Sequence, residues 1–507
     1  MRRSKGFVGN KAQPSVISLP YSAKASMVNY CICYFSRRIF GGFYFFPKGV
    51  TMKERLLEYT EKLLSFYENR KFADLRITLL DMEPIDIAEF IEENLEENER
   101  PKFFRLLPKE LASDVFIEFD ADLKEELIVA FSDKEFKEII NDMYVDDAVD
   151  MIEEMPANVV KRILKNADPE NRKQINALLS YPEDSAGSIM TTEFVSFPKN
   201  ITVENAFSKI RKTGIDKETV YTCYVTDAKK HLLGVVTVKD LLLASPDDYI
   251  ENVMDTSVIT TGTHEDKENV AHTFSKYDFL ALPVVDKEGC IVGIITVDDV
   301  VDVIHEEATE DIQKMTAILP TEKPYLKQST FEIWKTRVPW LLLLMVSATF
   351  TALILNTYEA SLSSTLLIAC IPMIMGTGGN AGGQASVTVI RALALGELEF
   401  KDVFKVLWKE LRASFILALT LGLSCFLKLL LLDNLVFGYD YTITLCLIVS
   451  LSLVATVVLA KVVGSILPLI AKKIHLDPAV VASPFITTII DALSLIIYCT
   501  IAAALLI

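Results

Sequence analysis

The sequence has no Walker A run, no HExxH and no GxSxG, so none of the common catalytic constellations is present and no enzymatic activity is expected. It also lacks a CxxC pair. Of its eight cysteines, Cys370, Cys425, Cys446 and Cys499 stand in apolar segments, which points to reduced thiols in a cytosolic or membrane setting and not to zinc or redox chemistry. Positive charge is in deficit: 51 Lys and Arg against 68 Asp and Glu leave a formal net charge of -17. Such a surface excludes nucleic acid as a partner and favours cations. The first 51 residues lack Asp and Glu altogether, but hold Arg2, Arg3, Arg37, Arg38 and aromatics over 43–46. A basic targeting segment fits that composition. The favoured expectation is an upstream extension foreign to the rest of the chain, with Met52 as the natural start.

What is present divides into an acidic half and an apolar half. Nearly all the acid lies between Met52 and Asp311, and the long apolar runs begin after Trp340. Over 52–184 apolar residues such as Leu56, Tyr59, Leu63 and Leu64 recur at helical spacing, with Pro84, Pro101, Pro108, Pro156 and Pro169 as breakers. We read this as an all-α superhelical domain of degenerate helix hairpins. Its acids, including Asp114, Asp146 and Asp147, are expected on a solvated face.

An internal repeat comes next. Ile189 and Met190 precede GVVTVKDLL from Gly234, and Val253 and Met254 precede GIITVDDVV from Gly293; the glycines are 293 - 234 = 59 residues apart. Each unit, expected over 185–248 and 249–304, reads as strand, helix, two strands and helix. The pattern resembles a pair of CBS domains, an α/β regulatory module. That resemblance implies possible binding of ATP or another adenosine nucleotide through a Thr and an Asp three residues later, here Thr237 with Asp240 and Thr296 with Asp299. A pair without ligand, acting in dimerisation, is the alternative. The second unit then runs into a connecting helix, expected over 305–330. Along the one helical stretch from the end of the second unit into that helix, Asp299, Asp302 and Glu306, and likewise Glu307, Glu310 and Asp311, share helix faces. Like charges so placed repel, and a divalent cation held through waters relieves them.

The segment 331–507 is expected to be an all-α transmembrane domain with five spans near 338–355, 362–395, 411–432, 442–470 and 481–507. Lys335, Arg337, Lys401, Lys405, Lys409, Arg412, Lys472 and Lys473 flank alternate ends, which predicts cytoplasmic N-terminal domains and an external C-terminus. Gly376, Gly378, Gly379, Gly382 and Gly383 in the second span serve either helix packing or an opened helix whose carbonyls and Asn380 line a polar cavity. In the last span Thr487, Thr488 and Asp491 interrupt the apolar run. A mid-membrane Asp costs about 2.5–3.5 kcal/mol, so it faces a partner, a cation or a wet cavity. Asp491 is the leading pore residue, with capping of a neighbouring helix as the alternative. Lys461 in the fourth span is expected to face away from a cation path or to lie near its cytoplasmic end.

The runs IPMIMGTGGNAGGQASVTVIRALALGE and HLDPAVVASPFITTIID, in this domain order, resemble the MgtE family of bacterial magnesium channels from Met52 onward. The resemblance implies a homodimer in the plasma membrane, with one pore lined by the second and fifth spans. Asp491 of each subunit would hold hydrated Mg2+ there, with Asp477 at the cytoplasmic mouth. It also implies magnesium-sensing acids at Asp114, Asp146, Asp266, Glu268, Asp278, Asp299, Asp302, Glu307, Glu310 and Asp311, which close the channel when cytosolic Mg2+ is plentiful. The rival reading is a nucleotide-sensing, proton-coupled secondary transporter of another divalent cation or solute.

Overall fold

The computed structural model describes residues 52–214, 217–321, 323, 325–358, 365–480 and 483–506. The extension expected over 1–51 lies outside the described residues. The chain forms two compact units, 1–142 and 143–507.

Among its described residues the first unit holds helices and no strand: α1 (Met52–Glu68), α2 (Phe72–Leu80), α3 (Pro84–Asn94), α4 (Arg100–Phe104), α5 (Lys109–Ile117), α6 (Ala121–Ala130) and α7 (Asp133–Asp142). The breakers work as starts: Pro84 opens α3 where its missing N–H costs nothing, and the Asp120 carboxylate accepts from the Leu123 N–H to cap α6. Phe103, Phe116 and Phe136 are fully buried, and edge-to-face and tilted rings around Phe104 and Phe131 join these short helices into one core.

The second unit begins with α8 (Val145–Glu154), α9 (Ala157–Asn166) and α10 (Pro169–Leu178). The repeat comes next as β1 (Phe194–Pro198), α11 (Val203–Thr213), β2 (Thr219–Thr226), β3 (Leu232–Thr237) and α12 (Val238–Leu243), then α13 (Ile250–Val253), β4 (Thr261–Gly262), α14 (Lys267–Tyr277), β5 (Ala281–Val285), β6 (Ile291–Thr296) and α15 (Val297–Met315). Each half is a three-stranded sheet in which the first pair is parallel and the second antiparallel, as the repeat predicts. The registers correspond, with Gly234 opposite Val225 and Gly293 opposite Val284. The halves also interlock. Thr191 bridges to Ile294 while Met190 packs on Gly293, and Asp255 bridges to Val235 while Met254 packs on Gly234; a Cβ at either glycine would lie 2.7 Å from a backbone oxygen of the crossing segment. Each glycine is therefore the notch that admits the segment leading into a repeat unit.

One expectation differs here. The connecting helix is the extension of α15 and stops at Met315; Ala317 takes φ 56°, and a short 3-10 turn at Tyr325–Lys327 is the helical structure described before residue 330. Thr316 caps the helix, the left-handed Ala317 turns the chain away from its axis, and Pro320 could not continue it.

Five long apolar helices complete the chain: α16 (Thr330–Thr357), α17 (Thr365–Ala394), α18 (Val403–Leu427), α19 (Ile443–Lys473) and α20 (Ser483–Leu506), with α18 continued by a π-helical stretch at Lys428–Val436. Their lengths suit a bilayer. The ends 362–364, 481–482 and 507 of the expected spans lie outside the described residues. The glycine run does not open α17, which is continuous through it. Instead the glycines let helices cross closely: Gly378 faces Thr456 and Ser494, and a Cβ on Gly464 would overlap the Gly382 carbonyl. Tyr498, fully buried, donates to the Leu367 carbonyl at 2.8 Å and ties α20 to α17. Lys461 reaches the Glu410 carboxylate of α18 at 4.0 Å, both side chains being largely buried.

Gly464→Ala forces backbone apart at the α17–α19 crossing. Overpacking of this kind costs about 1–3 kcal/mol, so the thermal unfolding midpoint of the detergent-purified chain is expected to fall, whereas Ala455→Gly is expected to leave that crossing intact. An unchanged midpoint for Gly464→Ala would contradict the backbone approach.

Candidate functional site

Three groups of acids matter. The first is in the membrane. A Cβ built on Gly379 of α17 would stand 3.4 Å from Thr487 Cγ2 and 3.7 Å from Asp491 Oδ1, so the missing side chain lets α17 lie directly against the polar part of α20. Thr487 and Thr488 both donate back to the Pro484 carbonyl at 2.9 Å. Asp491 makes no hydrogen bond or ion pair with any described residue. Gly376 and Asn380, one turn apart on α17, are exposed, whereas Gly378, Gly379 and Ala381 are buried. The face carrying Gly376 and Asn380 is thus left uncovered by the other described helices.

The second group lies where α15, the start of α14 and the ends of α17 and α19 come together. Asp184, Asp266, Glu268, Glu307, Glu310, Asp311 and Asp477 line a cavity of about 330 Å3, together with Lys314, Lys472 and the apolar ends Leu393 and Ala394. Six of these acids are among those implied by the sequence; Asp184 and both lysines are not. Burial, against the pull of Lys267, pushes Glu307 up to about 7, with Glu310 and Glu268 adding repulsion. Burial and then Asp477 push Asp311 up to about 6. Lys267 bridges Asp184, Glu306 and Glu307 at 3.3, 3.4 and 3.8 Å. Lys314 reaches both Glu310 and Asp477 at 2.7 Å, and Lys472 donates to the Leu393 carbonyl. Asp266 is partly engaged, since it accepts from the Glu268 N–H as the N-cap of α14.

The third group joins α8 to the repeat. Asp146 and Asp147 are half-buried near Glu218, Asp298 and Asp299, which corrects the expectation of a solvated face. One Asp146 oxygen is buried without a hydrogen-bond partner among the described residues. Burial first, and the neighbouring carboxylates second, push Asp147 and Glu218 up to about 8. Asp299 rises to about 7, chiefly through burial. Helical spacing could not reveal this, because it shows which residues share a face but not what covers that face.

The remaining expected residues stand apart. Asp114 is exposed on α5 in the other unit. Asp278 is the left-handed C-cap of α14 at the end opposite Asp266, and Asp302 is exposed on α15. Thr237 with Asp240, and Thr296 with Asp299, are reciprocal capping boxes at the starts of α12 and α15. Among the described residues, no three His, Cys, Asp or Glu side chains converge as a ready coordination shell. The acids therefore suit an ion that keeps its waters.

The model of the MgtE family, a divalent cation transporter, matches residues 371–501; that of the MgtE intracellular N domain matches 82–184, and the CBS domain matches 186–247 and 250–306. The magnesium transporter MgtE of Thermus thermophilus is 35% identical over 460 residues, which cover 90% of this chain and 99% of that protein. The chain belongs to the MgtE family. The Bacillus subtilis magnesium transporter MgtE is 31% identical over 87% of this chain and 96% of its own length. A solved cytosolic domain of the Mg2+ channel MgtE in complex with ATP is 34% identical, covers 48% of this chain and 99% of that one, and has a TM-score of 0.46. Family membership makes this MgtE chain a multi-pass membrane protein with an all-α N domain, a CBS pair and a helical membrane domain.

The third group has a stability consequence in this MgtE chain. Burial holds Asp147 and Glu218 up at about 8 and Asp299 at about 7 in the folded state, against about 4 for a carboxyl in the unfolded chain, so between those values the folded state holds more protons. Stability from this source is therefore present at low pH, falls as pH rises through the window, and is lost above about pH 8. In chelator, hydrogen exchange of α8 amides, corrected for intrinsic rate, is expected to speed up between pH 5.5 and 8. Asp147→Asn with Glu218→Gln is expected to flatten that dependence; a slope unchanged by the pair would refute the assignment.

Proposed function

We propose that the chain is a Mg2+ channel of the cytoplasmic membrane, working as a homodimer that cytosolic Mg2+ closes. The observation that carries conduction is Asp491: among the described residues it has no hydrogen-bond or ion-pair partner, and it is pressed against the glycine notch of α17. The uncovered Gly376 and Asn380 face supports a second copy of α17 across a twofold axis. Two Asp491 carboxylates brought together there would repel strongly without a cation between them. Hydrated Mg2+ supplies that charge while Thr487 and Asn380 offer polar contacts to its waters.

The cavity of the second group supports the feedback. Asp477 stands at the mouth, and Glu307, Glu310 and Asp311 of α15 face it together with Asp266 and Glu268. Mg2+ bridging these acids holds α15 against the membrane domain, and its loss lets repulsion move the helix away. Asp146, Asp299 and Asp302, with Asp114 and Asp278, add further weak sites. Several are needed, since switching from 1:99 to 99:1 takes about 5.5 kcal/mol of differential binding. The lysines and arginines at the ends of α16, α18 and α19 support a cytoplasmic N-terminal half and an external C-terminus. For an adenosine nucleotide, Thr237 with Asp240 is the better anchor, because phosphates beside Asp299 would meet the third acidic group.

In magnesium-starved cells, Asp491→Ala is expected to abolish Mg2+ uptake, and full uptake would exclude Asp491 as the ion site. Neutralising Glu307, Glu310 and Asp311 together is expected to leave flux high at internal Mg2+ that silences the wild type; equal inhibition of both would refute the feedback.

A further inference from the structure

The cavity at the mouth already contains a cation of the chain's own. Lys314, in the last turn of α15, lies 2.7 Å from Asp477 and 2.7 Å from Glu310, and its side chain is 23% exposed. Glu310 is one turn earlier on the same helix, so Lys314 joins a carboxylate of the connecting helix to the carboxylate of the membrane mouth. The geometry is that of a cation bridging two acids, with an ammonium in place of a metal. Lys267 has the same design one layer away, linking Asp184 to Glu306 and Glu307, but it does not reach the membrane domain. Among the described residues, Lys314 is the side chain that carries an ion pair from α15 to the membrane domain.

We infer that Lys314 is a tethered latch, which holds the connecting helix on Asp477 without metal and competes with Mg2+ for Glu310 and Asp477. The inference rests on the proposed feedback and deepens it. With one ammonium bridging both carboxylates and offsetting one of their two charges, metal closes the channel first through the remaining acids, Glu268, Glu307 and Asp311. The latch thereby gives the closed state a population when cytosolic Mg2+ is absent. Removing the charge raises the open fraction under those conditions, whereas a guanidinium, which also bridges two carboxylates, preserves the latch.

The test is the open probability in excised patches with chelator on the cytosolic side. Lys314→Met is expected to raise the open-to-closed ratio by about fivefold, within the range of a charge-assisted hydrogen bond partly screened by water. Lys314→Arg is expected to match the wild type, and saturating cytosolic Mg2+ to close all three. If Mg2+ closes the wild type but Lys314→Met keeps the wild-type ratio in chelator, the latch is overturned and the feedback stands. Failure of Mg2+ to close the wild type overturns the feedback itself. Reductive methylation of the wild-type chain in chelator gives an arm independent of any variant: Lys314 is expected to react several times more slowly than exposed Lys287, and equal rates overturn the latch.

Discussion

The structure depends on like charges held closer than water alone would allow. At 4 Å two carboxylates repel by about 4 kcal/mol at the effective dielectric of a protein surface. The chain gathers acids of this kind at the cavity between α15 and the ends of α17 and α19, and beside α8. In both groups burial and mutual repulsion penalise the fully ionised acids, which a proton or a cation relieves. The glycine notches, the interlocked repeat and the helix caps set how far apart those charges sit.

The internal repeat shows how this came from a symmetrical scaffold. Both halves have the same strand order, the same glycine notch and the same Thr–Asp capping box. Their helices then diverge. The first unit has Lys239 where the second has Asp298, and α12 stops after six residues while α15 runs for nineteen and collects acids along its length. Equal backbones thus give unequal charge, and the electrostatic load is on the half that reaches the membrane.

Much of this was legible in the sequence. The apolar runs marked five spans, the repeated Gly-Val/Ile-Val/Ile-Thr marked both sheets, and the spacing of Glu307, Glu310 and Asp311 marked one acidic face. Asp491 stood out as a candidate because a carboxylate in an apolar run has few structural excuses. Asp184, Lys314 and Lys472 were not, because they meet the other acids only through tertiary contacts between distant segments. The burial of Asp146 and Asp147 was missed for a related reason, since charge runs are solvated unless another surface covers them. The glycine run allowed two readings, and the packing of Gly378, Gly382 and Gly464 decided for close helix crossing.

The contact between Lys314 and Asp477 also has a place in time. The two residues are 477 - 314 = 163 positions apart, and synthesis proceeds from the N-terminus, so the regulatory half is finished while the fourth and fifth spans are still unmade. Until the loop bearing Asp477 emerges, α15 has nothing on the membrane side to grip. Biogenesis therefore ends, and does not begin, with this ion pair: it forms once the fourth span and the loop after it have been made.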